Sequence, residues 1–338
     1  MTPGAPLVAS LGGVLAAALL SFALAGAWWR FARHRVLDLP DERRLHRVPT
    51  PRGGGIGIAV ALLAMAPWLG PPGGAFAVGL AITAGAGLLD DLRPVPALAK
   101  LALQGLGALP IAVAWPLLPA LWGPVAAVAA AWLLVVALVN LWNFMDGSNG
   151  LAASQALLFG AATALLAGLG TPTAWLGLAL AGGALGFLPW NLPRARLFLG
   201  DVGSHALGVA VAALVLSSLS VDGGQAAWAP LLLASAFLVD GGLTLLGRLV
   251  RGERVWQAHR AHLYQRAISH GASHGRVCLA YAAWTGVAIG LAAWLAAAPL
   301  AVAWGVTLGW LISGIMVHSL GGRRWPRPGT DPGKEARE

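Results

Sequence analysis

Long apolar runs separated by short polar segments make up nearly the whole chain. Eleven of these runs are long enough, at roughly 17 to 25 residues, to cross a bilayer as helices. They fall at residues 6–28, 53–69, 73–89, 98–115, 120–140, 151–168, 174–190, 204–220, 228–247, 278–296 and 300–319. Proline and glycine mark several of their ends, as expected where a helix stops. The pattern predicts an all-α polytopic membrane protein of about 11 transmembrane helices.

The composition agrees with a membrane protein and excludes an ordinary soluble domain. Of 338 residues, 58% are hydrophobic and only 10% are charged, whereas about a quarter of the residues in soluble domains are charged. The net charge of +9 could suggest a nucleic-acid partner, but no nucleic-acid-binding motif accompanies it. In such a chain positive charge is first a signal of topology, so we expect no nucleic-acid partner.

The basic residues are distributed on one side of the predicted spans. All 22 Lys and Arg residues lie in odd-numbered loops or after the last span. The positive-inside rule therefore predicts an outside N-terminus and a cytosolic C-terminus. We expect a single transmembrane domain over residues 1–320, followed by a basic, disordered cytosolic tail at 321–338.

Four polar segments interrupt the apolar pattern, and all four fall on the predicted cytosolic side. They cover residues 88–100, 140–150, 191–204 and 248–276. Irregular polar backbone at the edge of a bilayer is tolerated where protein or a water-filled cavity satisfies it. The segments therefore predict one shared site on the cytosolic face.

Asp90 and Asp91 are adjacent carboxylates at the cytosolic end of the third span. Two such groups repel each other, which pushes one toward its protonated form unless a cation is present. The pair is therefore a candidate base or metal-proximal site. A solvated helix end is the alternative.

Asn143, Asp146 and Asp201 are oxygen donors in polar segments rich in glycine, and glycine lets a ligand approach the backbone closely. Carboxylate and carboxamide oxygens, completed by substrate phosphates, are the ligands that Mg²⁺ prefers. The sequence thus predicts a Mg²⁺ site, with Mn²⁺ as the alternative ion. Each motif alone is weak, because an Asp-Gly pair is commonly a turn.

His259, Arg260 and His262 lie together in the last large polar segment. Guanidinium and imidazole N–H groups suit phosphate, and the alternative is a cluster that only sets orientation. His270 and His274 are interpreted as part of a polar amphipathic segment.

Asp240 lies inside the ninth apolar run, where either a functional role or a helix-packing role remains open.

Taken in order, these motifs resemble the polyprenyl-phosphate N-acetylhexosamine-1-phosphate transferases, glycosyltransferase family 4. The resemblance covers nearly the whole chain. It is carried by DLPDERRLHRVPTPRGGG (38–55), Asp90-Asp91 with Lys100 and Gln104, NLWNFMDGSNGLA (140–152), Asn191 with FLGDVGSHALG (198–208), Asp240 and HRAHLYQR (259–266).

The resemblance implies that a lipid phosphate attacks the β-phosphorus of a UDP-N-acetylhexosamine and releases UMP. It implies catalytic roles for the residues matching the acidic and histidine motifs: Asp90, Asp91, Asp146, His259, Arg260 and His262. It implies a Mg²⁺ bound by Asp201 and Asn143, and substrate contacts from Asn143, Asn149, Asn191, Phe198 and Lys100, with Phe198 stacking on uracil. It also implies a bacterial inner membrane and the initiation of O-antigen or another surface glycan.

One departure and two rival functions qualify this interpretation. Many bacterial members read Asp-Gly-x-Asp-Gly, where this chain has Asn149, which argues for a recognition group at that position and not an obligatory base. A transporter or flippase for an anionic lipid or nucleotide-sugar predicts mid-membrane charges and an inverted repeat. The CDP-alcohol phosphotransferases need a longer acidic pattern than the one that follows Asp146. The sequence leaves open a homodimer and the identity of the sugar.

Overall fold

The computed structural model describes residues 5–40, 48–118, 121, 123–221, 225–254 and 259–326, and these are almost entirely helical. The helices are α1 (Ala5–Ala32), α2 (Ile56–Met65), α3 (Gly73–Leu92), α4 (Ala97–Ala114), α5 (Pro124–Phe144), α6 (Leu151–Ala167), α7 (Pro172–Asn191), α8 (Gly200–Val221), α9 (Trp228–Leu233), α10 (Ser235–Val250), α11 (Leu263–Ser269), α12 (His274–Leu295) and α13 (Leu300–Arg324). Short 3₁₀ turns cover Ala66–Leu69 and Gln225–Ala227. Within the described residues, β1 (Leu37–Asp38) and β2 (Thr50–Pro51) form a two-residue antiparallel pair.

Eight of the described helices are long and apolar enough to cross a membrane, and a ninth span forms if the bent pair Gln225–Leu233 and Ser235–Val250 is one segment. That pair is bent by 78°. Two further apolar helices, Ile56–Leu69 and Leu151–Ala167, coincide with the second and sixth predicted runs. They rise only about 21 and 26 Å, against a hydrocarbon thickness of about 30 Å. The helical multi-pass prediction is confirmed, whereas the count of eleven and the orientation stay predictions.

Helix α8 is the centre of the bundle. In the most apolar 18-residue stretch of α8, 89% of the residues are buried. The same share is only 17% in α1 and in α13, which lie at the periphery. Helices α2, α3, α5, α6 and α7 all pack against it. Its small residues allow this close packing, since a Cβ on Gly208 would lie 2.5 Å from the Cα of Val139. The N-terminus of α8 is therefore held at a fixed place in the bundle.

The glycine-rich end of the first polar loop packs directly against the segment that leads into α8. The backbone N–H groups of Gly54 and Gly55 donate to the carbonyls of Phe198 (2.9 Å) and Leu199 (2.8 Å). A Cβ on Gly55 would overlap the Cα of Gly203, which explains glycine at this position. Residues 41–47 of the same loop lie outside the described residues.

Three predicted boundaries differ from the structure. Helix α5 continues to Phe144, so Asn140 and Asn143 are helical. The Asn140 amide donates to Gln104 Oε1 (2.8 Å) and to the Val136 carbonyl (2.9 Å). Because the protein satisfies this polar side chain, Asn140 does not end the helix. Asp201 lies in the first turn of α8 and not in the preceding loop. The last helix reaches Arg324, beyond the predicted start of the tail, and residues 327–338 lie outside the described residues.

Candidate active site at the N-terminus of α8

Four of the predicted site residues meet around Asp201. Its Oδ2 lies 2.6 Å from the Nζ of Lys100, which is also 3.2 Å from Asp90 Oδ2. The amide nitrogen of Asn143 donates to Asp201 Oδ1 at 3.0 Å. These residues come from α8, α4, α3 and α5, so the bundle brings together groups separated by more than 100 positions in the chain.

The two adjacent acids have different surroundings. Asp91 Oδ1 accepts the backbone N–H of Asp201 and its Oδ2 accepts that of Val202, both at 3.1 Å. These are two of the N–H groups that a helix leaves unpaired at its start, so Asp91 caps α8 from the end of α3. Its side chain is only 1% exposed. Asp90 instead accepts the Val95 N–H through Oδ1 (2.8 Å) and presents Oδ2 to Lys100.

Arg52 holds the end of α3 and was not singled out from the sequence. Its Nε and Nη2 donate to the carbonyls of Asp91 (3.0 Å) and Asp90 (2.9 Å). A cation is favourable at a helix C-terminus, where carbonyls lack helical partners. The Arg52 carbonyl in turn accepts the indole N–H of Trp28 at 2.8 Å. The signal in the sequence was its place just before the three glycines of the first motif.

The turn between α5 and α6 is held by side chains from three other segments. The Gly147 N–H donates to the Tyr264 hydroxyl (3.0 Å), the Asn149 N–H to His274 Nδ1 (3.3 Å) and the Gly150 N–H to Asn191 Oδ1. The Asn191 Nδ2 donates to the Leu197 carbonyl at 2.9 Å. Asn191 therefore uses both ends of its amide within the protein.

Asp146, in the same turn, lies in an acidic environment. Burial, together with the nearby carboxylates of Asp201 and Asp91, raises its pKa well above the ordinary value. Clustered carboxylates of this kind favour a bound cation, which relieves their repulsion. Among the described residues, however, no three His, Cys, Asp or Glu side chains form a metal centre by themselves.

Two cavities meet beside Asp146. The first, of about 220 Å³, is polar and is lined by Asp38, Arg52, Asp91, Asp146, Gly147, Ser148, Asn149, Asn191, Phe198, Leu199, Gly200, Asp201, Gln265 and His274. The second, of about 420 Å³, is lined by Ala97, Leu98, Lys100, Leu101, Gln104, Asn140, Asn143, Phe144, Asp146, Gly147, His259, His262, Tyr264 and Gln265. Asp146, Gly147 and Gln265 line both. We call them the polar cavity and the lateral cavity.

The lateral cavity opens beside an apolar surface of α4. Leu98 and Leu101 line it, and they are 79% and 45% exposed. Leucines that are this exposed on a membrane-spanning helix face lipid. The lateral cavity therefore extends from Lys100 and Asn143, which contact Asp201, to these exposed leucines of α4.

Asp240 positions the histidine motif. Its Oδ1 accepts the Leu263 N–H (2.7 Å), and its Oδ2 accepts the Tyr264 N–H (3.3 Å) and the Tyr281 hydroxyl (2.5 Å). The carboxylate thus holds the start of α11, directly after His262. These contacts connect α10, α11 and α12 through one carboxylate, and the choice between a functional role and a helix-packing role stays a prediction.

The members of the histidine motif have different surroundings. The His259 and His262 rings lie 4.9 Å apart and both line the lateral cavity. Burial lowers the pKa of His262, which favours the neutral form of its ring. Arg260 lines neither of the two cavities.

Comparison with known proteins yields one family and several relatives. Residues 74–219 match the model of glycosyl transferase family 4. A decaprenyl-phosphate N-acetylglucosaminephosphotransferase of Mycobacterium tuberculosis is 33% identical, covering 82% of this chain and 80% of the relative. An undecaprenyl-phosphate alpha-N-acetylglucosaminyl 1-phosphate transferase of Thermotoga maritima is 31% identical, covering 74% and 80%. A phospho-N-acetylmuramoyl-pentapeptide-transferase of Heliobacterium modesticaldum is 49% identical over a quarter of each chain (25% and 27%).

Proposed function

The chain belongs to glycosyl transferase family 4, and on that basis we propose that it transfers an N-acetylhexosamine 1-phosphate from a UDP-sugar to a polyprenyl phosphate, releasing UMP. The relatives from Mycobacterium tuberculosis and Thermotoga maritima are sugar-phosphate transferases that act on polyprenyl phosphates, so the chain is an enzyme of that general kind. The UDP-sugar donor, the bacterial inner membrane and a role in starting O-antigen or a similar surface glycan are part of the proposal.

The observation that carries the proposal is the meeting of the polar and lateral cavities at Asp146 and Gly147. A nucleotide-sugar suits the polar cavity, where Phe198 provides a ring to stack on uracil and Asn149 provides an amide for the edge of the base. A polyprenyl phosphate suits the lateral cavity, with its tail along the exposed leucines of α4 and its phosphate near Lys100. The reacting phosphates would then meet at the shared wall.

The residues present fit a Mg²⁺ ion that is completed by substrate. Asp201 and Asp146 line the polar cavity as hard oxygen donors, and Mg²⁺ in phosphate-transferring sites is commonly bound by one or two carboxylates plus substrate phosphates. Asn143 directs its Nδ2 at Asp201, so it would serve as a ligand through Oδ1 only after its amide had rotated. When bound, Mg²⁺ supplies charge neutralisation at the diphosphate; Mn²⁺ is the alternative.

In the proposed step an oxygen of the lipid phosphate forms a bond to the β-phosphorus of the UDP-sugar. The bond from the β-phosphorus to the bridging oxygen breaks, and UMP leaves with that oxygen. Catalysis of such transfers is mainly positioning plus electrostatic stabilisation. The second pKa of a phosphate monoester is near 6, so at neutral pH most of the lipid already lacks the proton that a base would remove. We therefore propose that Asp90 orients the acceptor through Lys100, with which it is paired at 3.2 Å. His259 and His262, whose rings also line the lateral cavity, would contact phosphate oxygens through imidazole N–H groups.

The test uses purified full-length protein, undecaprenyl phosphate and Mg²⁺, with UMP release measured for a panel of UDP-sugars. We expect release with UDP-N-acetylglucosamine or another UDP-N-acetylhexosamine, and little with UDP-glucose. Omitting the lipid or adding EDTA should abolish it. Absence of UMP release with every donor, together with lipid or nucleotide-sugar movement in proteoliposomes, would favour the transporter.

A further inference from the structure

We propose that His274 is a positioning residue for the nucleotide: its Nδ1 holds the Ser148–Asn149 turn that forms one wall of the polar cavity. This inference rests on the proposed function only in naming a nucleotide as the occupant of the polar cavity. The hydrogen bonds from Ser148 and Asn149 to His274 do not depend on that function.

The contacts define the chemical state of the ring. Nδ1 lies 3.3 Å from the Asn149 backbone nitrogen and 3.0 Å from Ser148 Oγ. A backbone N–H can only donate, so Nδ1 must be the acceptor and the ring proton must be on Nε2. The Ser148 hydroxyl then donates to the same nitrogen. One imidazole thereby fixes the backbone and a side chain of two consecutive cavity residues.

The position of His274 is itself fixed by the packing of α12 against α6. His274 is the first residue of α12, whose start is capped by the Ser273 hydroxyl accepting the Arg276 N–H at 3.3 Å. Further along the same face of α12, Cys278 Sγ lies 3.4 Å from Ser154 Oγ and Thr285 donates to Gln155 Oε1 at 2.6 Å. Because α6 begins directly after the turn, α12 is anchored to the helix whose entry it holds.

The remaining contacts of the turn show why His274 has a local effect. Tyr264 and Asn191 hold the N–H groups of Gly147 and Gly150 on either side. Loss of His274 would release the middle of the turn, which includes Asn149, a residue that lines the polar cavity. His274 lines that cavity as well. We therefore infer a role in binding the nucleotide-sugar and not the lipid.

The experiment compares His274→Ala, His274→Asn and, as the matched control, His270→Ala. Asparagine places an acceptor oxygen near the position of Nδ1. His270 is an exposed residue of the same segment, with its Nδ1 beside the Arg266 carbonyl and away from both cavities. We expect His274→Ala to raise the KM for UDP-N-acetylglucosamine about tenfold, because the half-buried Asn149 N–H loses its acceptor and the cavity wall is no longer held in place. The kcat and the KM for undecaprenyl phosphate should stay within about twofold. His274→Asn should recover most of the loss.

Hydrogen exchange at the amides of 147–150 tests the contact whether or not the donor is a UDP-sugar. Exchange at Asn149 should accelerate in His274→Ala, and remain near wild type in His274→Asn and His270→Ala. Unchanged exchange at Asn149 in His274→Ala would overturn the positioning role. The positioning role would also be overturned if His274→Ala lowered kcat and raised both KM values by similar factors, and if His274→Asn did not restore them. Failure of the wild-type protein to release UMP would instead refute the proposed function, and the exchange result would still decide whether His274 holds the turn.

Discussion

Replacement of Asp91 by asparagine tests whether this acid acts mainly on the protein or on the substrate. The carboxylate accepts two backbone N–H groups, from Asp201 and Val202, each at 3.1 Å. An amide has one acceptor oxygen, so Asp91→Asn keeps one of these bonds and turns an NH₂ group toward the other donor. A hydrogen bond to a charged group contributes about 1.5–3 kcal/mol. Removing the negative charge from the start of α8 costs up to about 1 kcal/mol more.

We therefore expect Asp91→Asn to lower the free energy of unfolding by about 1.5–4 kcal/mol. Asp91→Ala, which removes the acceptor of both N–H groups, should cost more. Asp90→Asn is the matched control, because the amide oxygen can keep the bond from the Val95 N–H. That variant should unfold near the wild-type temperature while losing turnover. The measurement is thermal unfolding in detergent, followed by the fluorescence of the tryptophans, alongside UMP release.

The two acids should thus separate in the two assays. Asp91→Asn should lose stability first, and whatever activity remains at low temperature should need more Mg²⁺, because the backbone that carries Asp201 has shifted. An Asp91→Asn protein with wild-type unfolding temperature and a loss of turnover equal to that of Asp90→Asn would refute the capping argument. It would then place Asp91 on the substrate.

Three further outcomes follow from the site. Asp201→Asn should abolish UMP release while the protein still inserts and folds, because a neutral amide binds Mg²⁺ more weakly than a carboxylate; near-normal turnover at ordinary Mg²⁺ would remove Asp201 from the metal site. Asn149→Asp should change the KM for the UDP-sugar modestly, since both side chains can accept the uracil N3–H. Asn149→Leu should raise that KM tenfold or more, which corresponds to a loss of at least about 1.4 kcal/mol of binding free energy. Equal KM values for the two variants would place Asn149 outside the nucleotide pocket. The turnover deficit of Asp90→Asn should be similar at pH 6.5 and pH 9 if Asp90 positions the acceptor, and a deficit that fades as pH rises above the phosphate pKa would identify it as a base.

Much of this protein could be read from residue types and their order. The apolar runs predicted a helical multi-pass membrane protein, because a bilayer demands about 20 apolar residues per span wherever they occur. The chemistry of the site was also visible, since carboxylates, amides, a lysine and histidines in an otherwise apolar chain have few other uses. The family followed from the order of those motifs.

The assignment of individual side chains was decided only by the tertiary structure. Asp90 and Asp91 are the same residue type at neighbouring positions, yet one faces Lys100 and the other caps a helix 110 positions away in the chain. Asp240 holds the start of α11, and His274, which the sequence interpreted as part of an amphipathic surface, reaches the turn beside Asn149. The chemical type of a side chain determines which hydrogen bonds it can make. Which ones it makes depends on the donors and acceptors that helix packing brings within about 3 Å, and those come from distant parts of the chain.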